Sequence, residues 1–269
     1  MSDVIAEEPH FLAERDGHVL TVTLNRPAAK NAFSPTMLVG VADAWKMLND
    51  DDELRVGILT GAGGDFCSGM DLKALAAGFS EEEMNRMAED PDLHWKALLR
   101  HGRPMKPIVA AVEGYCVAGG TEILQATEIR VAGESAQLGI AEVQRGLFPL
   151  GGSTVRLQRQ IAYTMAADLL LTGRLISAQE AKEIGLIGHV VPDGQALDKA
   201  RELADRVAAN GPLAVKAVLK SMRETAAMTE ADGLAHELTI GEPIIFNTND
   251  AKEGPRAFKE KRQPNFTGT

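Results

Sequence analysis

The sequence predicts an α/β fold with a helical C-terminal region, on three observations. Short β-branched runs (HVLTVTL at 18–24, RVGILT at 55–60, IVAAV at 108–112 and EIRVA at 128–132) alternate with segments of helical period. Glycine-rich turns follow the second and third of these strands. From Leu197 onward the chain reads as one helix after another, with apolar residues on more than one face.

Taken in order, Phe11 to Arg15 and Val19 to Leu24 form a hairpin across Asp16-Gly17. Ser34 is a good N-cap with Pro35 at the first helical position, so a helix runs to about Asn49. A short buried strand at Arg55 to Thr60 follows, then a polar, acidic segment capped at Ser80, and a helix from Leu93 to Leu99. Ala162 to Leu171 is helical, Ser177 caps a further short helix, His189 lies on a strand as a structural residue, and Pro192-Asp193-Gly194 is a turn. A division into residues 1–196 and 197–269 is expected: a core, and a helical region that needs partners for its apolar surface.

The 269 residues, 45% of them hydrophobic, suffice for a large core with an appendage. Asp and Glu number 38 against 28 Lys and Arg, a net charge of -10, which excludes a general nucleic-acid binder and requires a local basic patch for any anionic ligand. No apolar run reaches the about 18 residues of a membrane span. The opening MSDVIAEEPH lacks the basic and apolar regions of a leader, so a cytoplasmic protein is expected. Cys67 and Cys116 read as reduced, buried small hydrophobes, not as a disulfide framework.

Four motifs carry chemistry. IVAAVEGYCVAGGTEIL (108–124) is a strand, a turn and a Gly-Gly step into a helix, which sets Glu122 beside amides that have no intrahelical acceptor. GAGGDFCSGMDL (61–72) is glycine-rich, yet lacks the Lys-Ser/Thr ending of a phosphate loop and the third glycine of a dinucleotide fingerprint. Ser68 is in no nucleophile elbow, and a plain turn before a helix remains open. AQLGIAEVQRGLFPLGG (136–152) puts Glu142 in a loop with an apolar surround of Leu138, Ile140, Leu147 and Phe148, and EGPRAFKEKRQPNF (253–266) is a basic tail.

This ordered set resembles the enoyl-CoA hydratase/isomerase (crotonase) superfamily from about Val19 to Phe266. The resemblance implies a crotonase-like spiral of ββα units with a C-terminal trimerisation region. It implies Glu122 and Glu142 as catalytic carboxylates, and the backbone N–H groups of Met70 and Gly119 as an oxyanion hole. For coenzyme A and substrate it implies Arg26, Ala28, Lys30, Ala32, Ser68, Asp71, Leu72, Phe258 and Lys261. Retention of both carboxylates points to hydration of a 2-enoyl-CoA ester, as in β-oxidation; a double-bond isomerase and a catalytically silent acyl-CoA-binding protein are the alternatives. No metal or separate cofactor is implied, since coenzyme A is part of the substrate, and the expected assembly is a homotrimer or a hexamer made of two trimers. One departure is Leu150, where the family commonly has glycine after the proline. A weaker likeness, through GGTEILQ and HVVPDGQAL, is to actinobacterial hydratases of steroid side-chain breakdown.

Overall fold

The computed structural model describes residues 9–269, so MSDVIAEE and the expectation drawn from it lie outside the described residues. β1 (Phe11–Asp16) and β2 (Val19–Leu24) form the hairpin, with Phe11 opposite Leu24. Ser34 accepts from the Met37 N–H and opens α1 (Pro35–Asp50), whose buried residues include Met37, Val41, Trp45 and Leu48. β3 (Val56–Gly61) leads to three short helices: α2 (Leu72–Ala77), α3 (Glu81–Glu89) with a Ser80/Glu83 capping box, and α4 (Leu93–Ala97). The helix expected to reach Leu99 stops at Ala97, because Leu99 turns the chain at a φ of 54°.

β4 (Ile108–Val112), β5 (Tyr115–Val117) and α5 (Gly119–Leu124) follow almost without linkers, then β6 (Ile129–Gly133) and β7 (Gln137–Gly139). α6 (Ser153–Gln160), α7 (Tyr163–Thr172), β8 (Ile176–Ser177), α8 (Ala178–Glu183), β9 (His189–Val191) and α9 (Ala196–Ala208) come next. α10 (Pro212–Thr225), α11 (Glu230–Asn247) and α12 (Asn249–Glu260) close the chain.

The larger sheet has the order β1-β2-β3-β4-β6-β9, parallel except for the β1 edge, and a second sheet has the order β5-β7-β8. β4 lies in the first sheet and β5 in the second; β6 and β7 repeat the step. An isolated bridge between Cys67 and Cys116 makes the segment after β3 do the same without a full strand. Each unit is thus a strand, a second strand in another layer, and a helix, stacked as the crotonase-like spiral requires. Both cysteines are fully buried and unpaired, as expected of small hydrophobes.

Period-two alternation divides the core. Leu20, Val22, Leu24, Leu59, Ala110 and Val112 face α1 and the second layer, whereas Val19, Val56, Ile58, Val109, Ala111 and Val131 face α9. α9 meets that face with Ala196, Ala200, Ala204 and Ala208, one every fourth residue, so the helix lies close to the sheet. The division expected at residues 196 and 197 therefore falls at the start of a helix that packs with the core. The helices that leave the sheet begin at α10, where Arg223 donates to Pro104 O at 2.7 Å and to Glu128 at 2.8 Å.

Candidate active site

A cavity of about 790 Å³ opens between α4, the 68–72 turn, the start of α5 and the 141–151 segment. Leu38, Met70, Trp95, Leu98, Val117, Phe148 and Leu150 make its walls largely apolar, and Glu122 and Glu142 both line it. Two other clefts, of about 600 and 530 Å³, lie at the C-terminal tail and beside the first hairpin, and they contain none of these groups.

Glu122 is 5% exposed. Burial pushes its carboxyl above the usual range, opposed by hydrogen bonds from the Ser153, Gly151 and Gly152 amides and from the Ser153 hydroxyl. The Ser153 N–H donates to Glu122 Oε1 at 3.2 Å. These amides open α6, and a helix N-terminus favours a carboxylate. A Cβ on Gly151 would lie 2.5 Å from Glu122 Oε2, so no other residue fits that approach. Arg156, one turn into α6, donates to Gly151 O at 3.2 Å and to Leu99 O at 2.5 Å, and its charge acts on Glu122.

Glu142 has no such cradle. It opens a turn of 3-10 helix, Glu142–Arg145, its Oε2 is buried without a partner among the described residues, and burial, with the Glu122 charge beside it, raises its pKa to about 7. Several amides of α6 hold the first carboxyl, whereas only the Glu142 backbone N–H reaches the second. Two chemically identical groups on one cavity thus have different surroundings, and such a difference moves carboxyl pKa values apart.

The N–H groups of Met70 and Gly119 have no acceptor within the described residues. A Cβ on Gly119 would come 3.3 Å from Gly69 Cα and 3.7 Å from the carbonyl carbon bonded to Met70 N, so the two peptides lie side by side. A side chain here would press on the 68–72 turn, so glycine lets one turn pack on the other. Ala118 holds the turn at φ 50° and ψ −125°, with its N–H donated to Gly139 O. Such a conformation costs an alanine about 1–3 kcal/mol. Two adjacent unpartnered amides in an apolar cavity can hold an oxygen that gains negative charge.

The remaining residues named from the sequence separate. Ser68 and Leu72 line the cavity with Met70. Arg26 instead donates to Asp71 at 2.9 Å and to Ala32 O at 2.7 Å, and Asp71 caps α2, so this pair braces the turn and does not line the cavity. Lys30 lies 3.7 Å from the centroid of the Tyr115 ring and 3.7 Å from Asp65, and Ala28 is exposed beside it. Phe258 is 87% exposed on α12, Lys261 ends that helix in a left-handed conformation, and neither lines the cavity. Leu147 and Phe148 reach the cavity, while Leu138 and Ile140 are core. Gly151, Ser153, Gln125, Arg156 and His94 were missed; the Gly-Gly-Ser before a helix was the signal for the first two.

No group of three or more His, Cys, Asp or Glu side chains placed to hold a metal occurs among the described residues, and none of their helices is long and apolar enough to cross a membrane.

Comparison with known proteins gives a consistent result. The sequence profile of the enoyl-CoA hydratase/isomerase family matches residues 14–269. Over 258 residues the chain is 57% identical to enoyl-CoA hydratase EchA19 of Mycobacterium tuberculosis, covering 96% of each. It is 36% identical to (E)-benzylidenesuccinyl-CoA hydratase of Thauera aromatica, over 95% of this chain and 98% of that one. The crystal structure of enoyl-CoA hydratase EchA1 from Mycobacterium marinum superposes with a TM-score of 0.89 at 44% identity, covering 97% of this chain and all of the other. With a spiral of ββα units, two carboxylates on one cavity and paired free amides, the chain belongs to the enoyl-CoA hydratase/isomerase family.

Proposed function

We propose that the protein is an enoyl-CoA hydratase, a hydro-lyase that adds water reversibly across the 2,3 double bond of a 2-enoyl-CoA thioester. The observation that carries this reading is the unequal pair of carboxylates beside two unpartnered amides. The Glu122 carboxylate takes a proton from water as the oxygen bonds to C3, and the π electrons move through C2 onto the thioester oxygen. The Met70 and Gly119 N–H groups hold that oxygen; removal of one such donor raises a barrier by about 2.7–4 kcal/mol. Glu142 gives its proton to C2, and the proton left on Glu122 returns to Glu142 through solvent. The elements of water have then been added, both carboxyls are back in their starting forms, and the product is a 3-hydroxyacyl-CoA.

Coenzyme A enters as part of the substrate, and this reaction needs no further cofactor. Lys261, with Lys30 as a weaker candidate, would meet its phosphates or adenine, and Phe258, Ala28 and Ala32 would be further contacts; Arg26, held by Asp71, would act only by bracing the turn. The apolar walls and the volume suit an acyl group larger than a four-carbon chain, and a steroid side chain is one proposal for it. A survey of hydration rates over 2-enoyl-CoA esters graded from short chain to steroid side chain tests that point. The enzyme is proposed to act in the cytoplasm on fatty or other lipid acyl groups.

The deciding experiment measures hydration of a short 2-enoyl-CoA by the wild type, Glu122→Gln, Glu142→Gln and the double variant. Each single variant should lose about 10²–10⁴-fold or more in kcat while folding and CoA binding stay intact. The double variant should be scarcely worse, because the two groups act on one water. A wild type that shifts the double bond of a 3-enoyl-CoA but hydrates no 2-enoyl-CoA, with Glu122→Gln near wild type and Glu142→Gln inactive in that shift, would instead establish the isomerase, which needs one proton shuttle.

A further inference from the structure

Behind Glu122 lies a polar pair that the reaction as described does not use. Gln125 follows Glu122 by three residues, on the same side of the helical turn, and is 1% exposed; Ser153 is fully buried. Gln125 Nε2 donates to Ser153 Oγ at 2.9 Å, and the Ser153 N–H donates to Glu122 Oε1 at 3.2 Å. A hydroxyl has one hydrogen to give. With its oxygen accepting from Gln125, the Ser153 hydroxyl has its hydrogen left for the Glu122 carboxyl, which lies against the same residue.

Gln125 is an unfavourable choice unless it serves this contact. Its Oε1 is buried without a partner among the described residues, which costs folding, and a methionine would fill the same space without an unmet acceptor. Its backbone carbonyl accepts from Arg130 and Gln160, bonds that any residue at this position would provide.

We infer that Gln125 and Ser153 are positioning residues for hydration: Gln125 orients the Ser153 hydroxyl, which with the Ser153 N–H holds the Glu122 carboxyl aimed into the cavity. This rests on the hydratase reading of Glu122. The charged groups that face Glu122 are Glu142, from the turn after β7, and Arg156, from α6; His94 of α4 lines the same cavity. None of the three donates a hydrogen bond to Glu122, which leaves the Ser153 hydroxyl, on the residue whose N–H already bonds Glu122 Oε1, as the side chain placed to donate to it. Glu142 lacks a counterpart, and the hydroxyl therefore helps to keep the two carboxylates in different protonation states.

The test is the pH profile of kcat and kcat/KM for wild type, Ser153→Ala, Ser153→Thr, Gln125→Met and the Ser153→Ala/Gln125→Met double variant. Ser153→Ala should move the acid limb up by about one unit, lower kcat about tenfold, and leave KM within about twofold. Ser153→Thr should restore the limb, Gln125→Met should move it less in the same direction, and the double variant should match Ser153→Ala. An acid limb unmoved in Ser153→Ala overturns the inference even if thermal stability falls. Should that variant not fold, an unmoved limb in Gln125→Met overturns it. A wild type that hydrates no enoyl-CoA ester, or a Glu122→Gln variant as fast as wild type, overturns the hydratase reading and this inference with it.

Discussion

At the scale of single residues, the proposed hydration depends on a difference in environment between Glu122 and Glu142. Glu142 has its pKa raised from 4.5 to about 7 by burial first and the neighbouring carboxylate second. Its acid form is the one that can protonate C2, so kcat/KM should fall as pH rises through about 7, and the residual activity of Glu142→Gln should lack that limb. Stability follows the same sign. Below pH 4.5 both states hold the proton; between 4.5 and about 7 the unfolded chain releases it while the folded chain does not, so stability declines across that window and stays low above it. Glu142→Gln should therefore gain more stability at pH 8 than at pH 5, measured by urea unfolding at both. An equal change at the two pH values would show that Glu142 is not buried as an acid.

At the scale of elements, two turns and one helix start have to meet within tenths of an ångström. Gly69 has a φ of 97°, and a Cβ there would come 2.9 Å from the Ala118 side chain and 3.1 Å from Gly119 N. Gly69→Ala should destabilise by about 1–3 kcal/mol and separate the two amides, lowering kcat more than KM. Gly151→Ala acts from the other side, displacing the Glu122 carboxylate. A shift of about 1 Å at such a group costs about 10²-fold in rate, with little change in binding. Steady-state kinetics and thermal unfolding on both variants check this; a Gly151→Ala enzyme with unchanged kcat would mean that Glu122 tolerates displacement.

At the scale of the molecule, the last three helices leave apolar surface uncovered. Val218 and Met222 on α10, and Leu234 and Leu238 on α11, are each more than half exposed and recur at four-residue spacing. Ile245, Phe246 and Phe258 are exposed as well. Exposure on this scale favours association of copies of the chain, proposed to be a trimer or a pair of trimers. Sedimentation should give a mass about three or six times 28.8 kDa. A Val218→Glu/Met222→Glu variant should dissociate without losing the sheet core, since α10 is anchored separately by Arg223 on Glu128. A monomer at micromolar concentration for the wild type would contradict the proposal.

Local pattern determined what local physics decides. The alternation in HVLTVTL, the Ser34-Pro35 cap, the Ser80 capping box and the turn at Pro192-Asp193-Gly194 lie where short-range sterics and hydrogen bonding put them, and the order of four motifs was enough to name the family and both carboxylates. The tertiary structure decided what depends on segments far apart in the chain. Gly151 to Ser153 hold a carboxyl about thirty residues earlier, and no spacing rule links a helix start to a distant glutamate. Ala118 keeps a positive φ where Gly69 lies against it and Gly139 O accepts its N–H, contacts that come from two other segments of the chain. Arg26, which the family resemblance offered as a coenzyme A contact, pairs with Asp71 from another turn, and no sequence pattern announces that a distant carboxylate will fold against a cation. The helical character of α9 was legible from its residues; its alanine face shows its partner only when the sheet it covers is in place.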